Sequence, residues 1–265
     1  VIEIMGVVNV TPDSFSDGGE FFTGDTAVEH GRDLVALGAT ILDVGGESTR
    51  PGSKPVGAEE ELRRALPAIT QLASDGHRIS VDTYRAPVAA RAIEKGASII
   101  NDVSGGLADP EILRVTAASD AEFIIGHWRG PSDDMYAKAT YEHIGPEVAA
   151  ELSRRVDHAL AAGIDASRIV LDPGIGFAKS GEQNWAMLRE MQAVIDLGFR
   201  VLIGTSRKRF LERAIGSDAS RDRRDLATAV TSVLAQRAGA WGVRVHDVTA
   251  TRDALSVLDA WDGAR

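Results

Sequence analysis

A chain of 265 residues with 44% hydrophobic and 26% charged residues has the composition of an ordinary globular protein, with enough apolar material for one core. The absence of cysteine excludes a disulfide framework and thiolate metal sites, and the six histidines are scattered rather than set at ligand spacing, so any metal is expected to be a hard ion. Twenty-nine basic residues against 39 acidic ones give a net charge of -10, which argues against non-specific binding to nucleic acid or anionic lipid and leaves any anionic ligand to a local basic cluster.

The apolar runs fall short of the roughly 18 residues a membrane span requires. The amino end shows no basic segment leading into a cleavage site, and a cytoplasmic location is expected. In chain order, the first strand-like run is Ile2–Asn9, and after a long connection, Val10–Asp25, helical spacing covers Thr26–Leu37 and closes on Gly38. A strand at Ile41–Gly46 leads into a second long connection, Glu47–Val56, and a helix at Ala58–Ala73 that closes on Gly76. Strands follow at Arg78–Thr83, Ser98–Val103 and Glu122–His127, the segment between the first two closing on Gly96. A helix at Pro146–Ala162 closes on Gly163 and precedes a strand at Arg168–Pro173; the next segment closes on Gly198 before a strand at Arg200–Ser206. A helix at Asp225–Ala238 and a strand at Ala240–Val248 complete the pattern.

Continuous apolar runs such as IVLD and VLIG, without alternation, suit strands covered on both faces. Eight strand and helix units in this length favour a closed (β/α)8 TIM barrel over an open doubly wound sheet. No linker divides the chain, so a single domain over residues 1–265 is expected. The two long connections, after strands 1 and 2, are rich in Gly, Pro, Ser and Asp and are candidates for mobile flaps over a site.

In a barrel the carboxyl ends of the strands share one face, where such enzymes place their chemistry. Those ends carry Asn9, Glu47, Asp82, Asn101, Asp102, His127, Asp172, Ser206, Arg207, Lys208, Arg244 and His246. One group, Asp82, Asn101 and Asp172, offers carboxylate and amide edges suited to a flat heterocycle with several hydrogen-bond donors. A second group, Lys208, Arg207, Arg244 and His246 with Asn9, is what a phosphate or diphosphate needs. Trp128, Trp185, Trp241 and Trp261 read as packing residues, and Glu59–Glu61, early in a helix, as a solvated acidic face.

Seven strings in consistent order give this reading a family. NVTPDSFSDGG at Asn9–Gly19, DVGGESTRPG at Asp43–Gly52, SVDT at Ser80–Thr83, INDVSGG at Ile100–Gly106, DPGIGF at Asp172–Phe177, GTSRKRFL at Gly204–Leu211 and RVHDV at Arg244–Val248 make the chain resemble the dihydropteroate synthases over nearly its whole length. The resemblance implies a (β/α)8 barrel transferase. Its reaction would join 6-hydroxymethyl-7,8-dihydropterin diphosphate to 4-aminobenzoate, releasing diphosphate and forming 7,8-dihydropteroate, the folate-pathway step that sulfonamides block.

Carried onto matching positions, the resemblance gives the pterin to Asp82, Asn101, Asp172 and Lys208, and the diphosphate to Asn9, Arg244 and His246, with Mg²⁺ bridging its oxygens and Asn9. It further implies that Asp17 and Arg50 act with Lys208, Arg244 and His246 in catalysis. Phe15, Thr49, Arg50, Pro51 and Phe177 would form the aminobenzoate slot, and Asp13 would lie with Phe15 and Asp17 in the first flap. His127 would either approach the pterin or make a structural hydrogen bond, whereas Glu47, Asp102 and Asp247 would support the residues that touch ligand. A homodimer is implied as well, with no dimer surface legible in the residues. Two positions depart from the family pattern: Gly126, where relatives commonly carry Met over the pterin ring, and Arg209, where many carry a small Ser near the aminobenzoate carboxylate. A Met at position 126 is therefore expected to tighten pterin binding. Two other readings are a pterin-dependent methyltransferase barrel, which has no diphosphate to bind, and a non-catalytic pterin-binding paralogue, expected to lack the flap residues and basic cluster retained here.

Overall fold

A computed structural model describes residues 2–11, 24–48, 55–130 and 139–263. Eight parallel strands pair in chain order and close into a barrel: β1 (Glu3–Asn9), β2 (Ile41–Gly45), β3 (Ile79–Asp82), β4 (Ile99–Asp102), β5 (Glu122–Gly126), β6 (Ile169–Asp172), β7 (Arg200–Ile203) and β8 (Gly242–Val245), the last returning to β1. Outside lie α1 (Gly24–Ala36), α2 (Ala58–Ser74), α3 (Ala86–Glu94), α4 (Glu111–Ala117), α5 (Ile144–Ala161), α6 (Gly181–Arg189), α7 (Gln192–Ile195), α8 (Arg209–Ile215), α9 (Arg221–Arg237) and α10 (Val248–Trp261). The expected strands are all present; β1, β3, β4 and β6 end on the polar residues Asn9, Asp82, Asp102 and Asp172, and β2, β5, β7 and β8 stop shortly before Glu47, His127, Ser206 and His246. Two of the expected single crossovers are split, however: α6 and α7 lie between β6 and β7, and α8 and α9 between β7 and β8.

The absence of alternation in the apolar runs has a direct cause. Met5, Ile41, Ile99, Ile124, Val170 and Leu202 point inward and form a core of their own, with Trp241 at its edge. Their neighbours along the same strands, such as Ile4, Leu42, Ile100, Phe123, Ile125, Leu171, Val201 and Ile203, point outward and join the helices in a second core. Each of these side chains is withdrawn from water, which contributes about 1.5 to 3 kcal/mol for a large aliphatic or aromatic group. On α2 the buried residues Ala65, Ala68, Ile69 and Leu72 form one stripe. At Gly31 of α1 an added Cβ would lie 2.7 Å from Leu72 Cδ1, so a side chain there would displace the Leu72 methyls from between α1 and α2.

The amino-terminal end of the barrel is sealed by charge and an aromatic ring. Arg78 pairs with Glu3 at 3.4 Å and with Glu122 at 2.8 Å, and Arg200 reaches Glu122 at 3.1 Å. Both guanidiniums lie over the Trp241 ring, 5.8 and 5.0 Å from its centroid. Trp241 and Trp185, which packs edge-on against Phe210 at 4.9 Å, are packing residues as expected. Trp261 is not: it is 81% exposed at the end of α10.

Glu61 also departs from expectation. Glu60 bonds Arg63 and Arg64 on the half-exposed side of α2, yet Glu61 is buried and accepts from Arg85 Nη1 at 2.5 Å. The first turn of α2 packs so tightly on β2 that a Cβ on Gly46 would lie 2.7 Å from Glu61 O, which turns Glu61 inward toward the cation that compensates it. No helix among the described residues is long and apolar enough to cross a membrane.

Candidate active site

The inward positions change character within one step of the strand repeat. Two residues beyond the apolar layer, Ile41 gives way to Asp43, Ile99 to Asn101, Ile124 to Gly126, Val170 to Asp172 and Leu202 to Gly204, all on the same face because side chains alternate with period two. Asp82 and Asn101 are register partners, as are Gly126 and Asp172. Together with Phe177, Ser206, Lys208, Arg244 and His246, Asp82, Asn101, Gly126, Asp172 and Gly204 line one open pocket. The glycines supply room. At Gly204 the nearest atoms to an added Cβ, 3.8 Å away, are Lys208 Nζ and Arg244 Cβ.

Arg244, on β8, ties the pocket floor together. Its Nε donates to Asp43 Oδ2 at 2.5 Å and its Nη2 to Asp82 Oδ2 at 2.8 Å. Asp43 is fully buried and also accepts from Ser80 Oγ at 2.6 Å and Asn101 Nδ2 at 3.2 Å. Burial works against the Arg244 charge, but Asp43 and Asp82 outweigh it and hold the guanidinium ionised well beyond its ordinary range. Burial likewise raises the Asp82 carboxyl, with the Arg244 charge opposing. Asp43 was not singled out from sequence as a site residue, although a lone carboxylate inside the apolar run ILDVG was the available signal.

On the opposite wall Asp172 accepts the Gly174 N–H at 2.7 Å. Burial raises its carboxyl, against the charge of Lys208. Lys208 caps the start of α8; its ammonium donates to Ile175 O and lies 4.9 Å from the Phe177 ring centroid. Burial lowers it to about 8, with Asp172 opposing. His246 donates its backbone N–H to Ser206 Oγ at 3.1 Å, and its ring Nδ1 lies in hydrogen-bond contact with the same oxygen at 2.8 Å.

Several strand-end residues lie outside this constellation. Arg207, expected in the anion group, adopts φ 58 and turns away to a bidentate pair with Asp225 at 2.7 and 2.9 Å. His127 is fully buried between Glu151 and Lys179, which makes its hydrogen bonds structural. Asp102 folds the turn after β4 by accepting from Ser104 and Gly106, and burial raises its carboxyl to about 6. Glu47 closes the base of the second long connection, accepting the Val56 N–H at 2.7 Å and pairing with Arg85 at 2.9 Å. Asp247 caps α10 through the Ala250 N–H. Asp13, Phe15, Asp17, Thr49, Arg50 and Pro51 lie outside the described residues.

The model of the family described as pterin binding enzyme matches residues 5–246. The dihydropteroate synthase of Mycobacterium leprae (strain TN) is 48% identical, the alignment covering 98% of this chain and 93% of that protein. The chain belongs to the dihydropteroate synthase family. Among solved structures, the dihydropteroate synthase of Xanthomonas albilineans with 4-aminobenzoic acid superposes with a TM-score of 0.92 at 41% identity, covering 100% of this chain and 94% of that one. The same enzyme in complex with 7,8-dihydropteroate gives a TM-score of 0.88 at 38% identity, covering 100% and 95%.

Within this dihydropteroate synthase fold, the two departures from the family pattern take definite form. A Cβ at Gly126 would lie 2.5 Å from Val103 O and 2.6 Å from its Cα. A Met there has no space without moving the backbone after β4, which overturns the expectation that it would tighten pterin binding. Arg209 is exposed in the first turn of α8.

Proposed function

We propose that the chain joins 6-hydroxymethyl-7,8-dihydropterin diphosphate to 4-aminobenzoate, the reaction of its family, and that it does so by departure of diphosphate followed by attack of the arylamine. The observation that carries the reading is one pocket holding the acceptors Asp82, Asn101 and Asp172 together with the donors Lys208, Arg244 and His246. Complexes of the Xanthomonas albilineans enzyme with the second substrate and with the product support it.

In this reading the pterin lies flat over Gly126 and Gly204. Its ring N–H and amino groups donate to Asp82, Asn101 and Asp172, charge-assisted bonds that are strong in a pocket shielded from water. Departure of diphosphate leaves a cation on the methylene that the electron-rich ring delocalises. Lys208, Arg244 and the His246 ring meet the charge building on the leaving oxygens, and a well-placed donor of this kind contributes about 3 to 4 kcal/mol. The amine of 4-aminobenzoate then attacks the methylene and passes its proton to solvent or departing diphosphate. In this reading Asp17 and Arg50, with Phe15, Thr49 and Pro51, also act on the substrates, and Phe177 borders the aminobenzoate.

Mg²⁺ suits the donor set. Asn9 offers one hard amide oxygen at the end of β1, and an added Cβ on the bare Gly45 would lie 3.9 Å from Asn9 Oδ1 and 3.8 Å from Asp82 Oδ2, room for one further atom between them. No group of three His or carboxylate ligands is present among the described residues, and Mg²⁺ characteristically takes few protein ligands alongside water and substrate phosphate oxygens. When bound there the ion would neutralise charge on the diphosphate.

We further propose a cytoplasmic homodimer of single-domain chains. Leu226, Val230 and Leu234 repeat every four residues along the exposed face of α9, and Val257 continues the apolar strip on α10. A second copy offers the matching surface about a two-fold axis. The deciding experiment for the activity supplies purified protein with the dihydropterin diphosphate, 4-aminobenzoate and Mg²⁺. Equal release of diphosphate and 7,8-dihydropteroate supports the reading, and failure to form dihydropteroate overturns it.

A further inference from the structure

Lys179 is 1% exposed and outside the set of groups that act on substrate. Its ammonium donates to Gly174 O at 3.2 Å, Phe177 O at 3.2 Å and His127 Nδ1 at 3.0 Å, so three N–H donors meet three acceptors. Because His127 accepts through Nδ1, its N–H is on Nε2, 3.0 Å from Glu151 Oε2; Arg129 holds the same carboxylate at 2.5 Å. Arg129 also lies 3.9 Å from the centroid of Tyr141, whose hydroxyl donates to Ala178 O at 2.9 Å.

The contacts of Lys179 and of the Tyr141 hydroxyl grip one segment, the connection from β6 to α6, and the others hold Lys179 and Tyr141 in place. Lys179 draws the carbonyls of Gly174 and Phe177 to one side, whereas one of the two carbonyls between them, that of Ile175, accepts from Lys208. The segment includes Ala178 at φ 47, a conformation that a residue with a Cβ avoids unless its surroundings impose it. An apolar side chain could fill the volume of Lys179 without desolvating a charge. What the ammonium adds is direction, since only a donor on several sides can fix two carbonyls at once.

We propose that Lys179, oriented by His127 and Glu151, is a positioning residue that fixes the Gly174–Ala178 backbone and thereby sets the place of the Phe177 ring against the arylamine substrate. This rests on the reading that Phe177 borders 4-aminobenzoate. The clamp acts from behind the segment, opposite the face where Lys208 meets it, and it governs affinity for the second substrate rather than for the pterin.

The test compares the wild type with Lys179→Met and with the milder Tyr141→Phe. The expected result is a rise of about tenfold or more in KM for 4-aminobenzoate in Lys179→Met and a smaller rise in Tyr141→Phe, with KM for the dihydropterin diphosphate changed by less than about threefold in both. Amide exchange at Gly176 and Phe177 should quicken by about tenfold in Lys179→Met. Because the chain has no cysteine, Lys179→Cys can be alkylated with 2-bromoethylamine in denaturant and refolded, which rebuilds an amine of nearly lysine length and should restore the aminobenzoate KM. Unchanged aminobenzoate KM in folded variants, or an equal loss for both substrates, overturns the proposal. If the wild type makes no dihydropteroate, the catalytic reading fails by itself; amide exchange then decides the clamp, unchanged rates overturning it and quickened rates upholding it.

Discussion

Arg244 and Asp43, 201 positions apart in the chain, meet at 2.5 Å beneath the pocket, and the same guanidinium reaches Asp82 at 2.8 Å. One buried carboxylate thus orients both a residue assigned to the leaving group and, through Asn101, one assigned to the pterin. Asp43→Asn replaces one of the two acceptor oxygens by an NH₂ and removes the charge that pairs with Arg244. The variant should lose about 3 kcal/mol of stability by urea unfolding, the scale of a broken buried pair. Its kcat/KM should fall about 100-fold through misplaced donors. Normal activity would show that Arg244 needs no anchor.

The division of labour across the pocket is separable by ligand. Asp172→Asn should weaken binding of a pterin that lacks the diphosphate by about 1.5 to 3 kcal/mol, the range for a hydrogen bond to a charged group. Arg244→Ala should leave an apo pterin comparatively well bound and chiefly reduce affinity for inorganic diphosphate. Calorimetry with each ligand alone distinguishes the two, and the reverse pattern would refute the assignment.

Gly126 carries a steric prediction. Even Ala adds a Cβ 2.5 Å from Val103 O, so Gly126→Ala should cost about 1 to 3 kcal/mol in thermal or urea unfolding, with weaker pterin binding. Gly126→Met should be worse on both counts.

Lys208 predicts an alkaline limb. Its ammonium, lowered by burial to about 8, is lost as pH rises through that value, so kcat/KM should fall above about pH 8 and the fall should vanish in Lys208→Gln. The linkage sign is opposite for folding. Between about 8 and the ordinary lysine value the unfolded chain binds more protons than the folded one at this group, so its contribution to stability rises with pH. Activity and stability measured on one pH series should therefore diverge.

Leu234 lies 57% exposed in the strip on α9, where a substitution changes monomer stability little. Leu234→Glu should shift sedimentation from dimer to monomer while the unfolding midpoint of dilute protein stays within a few degrees. A variant that remains dimeric would move the interface elsewhere.

The barrel was legible because its signal is local: continuous apolar runs ending in one polar residue, at a spacing helices fill. Asp82, Asn101, Asp172, Lys208, Arg244 and His246 were legible for the same reason, since a strand end in a barrel has one destination. What could not be read were choices made between distant groups. Arg207 and Lys208 are neighbours of like charge, yet one turns to Asp225 on α9 and the other enters the pocket, a division set by a positive φ and a partner 18 residues on. Glu61 looked like its neighbours until Gly46 brought β2 against it. Lys179 stood in a turn where lysines are commonly solvated, and its acceptors come from a histidine 52 positions away and from carbonyls of its own loop.

The alternation of inward and outward side chains also limits how such a chain can change. Deleting one residue of β6 ahead of Asp172 would bring Pro173 into the place of Asp172 at the pocket and turn the carboxylate outward against the helices, whereas the same deletion in a connecting segment leaves every strand facing as before. Length can therefore drift in the connections, but within the strands it is held to steps of two, and variation in substrate handling is confined to substitutions at fixed positions and to the loops above them.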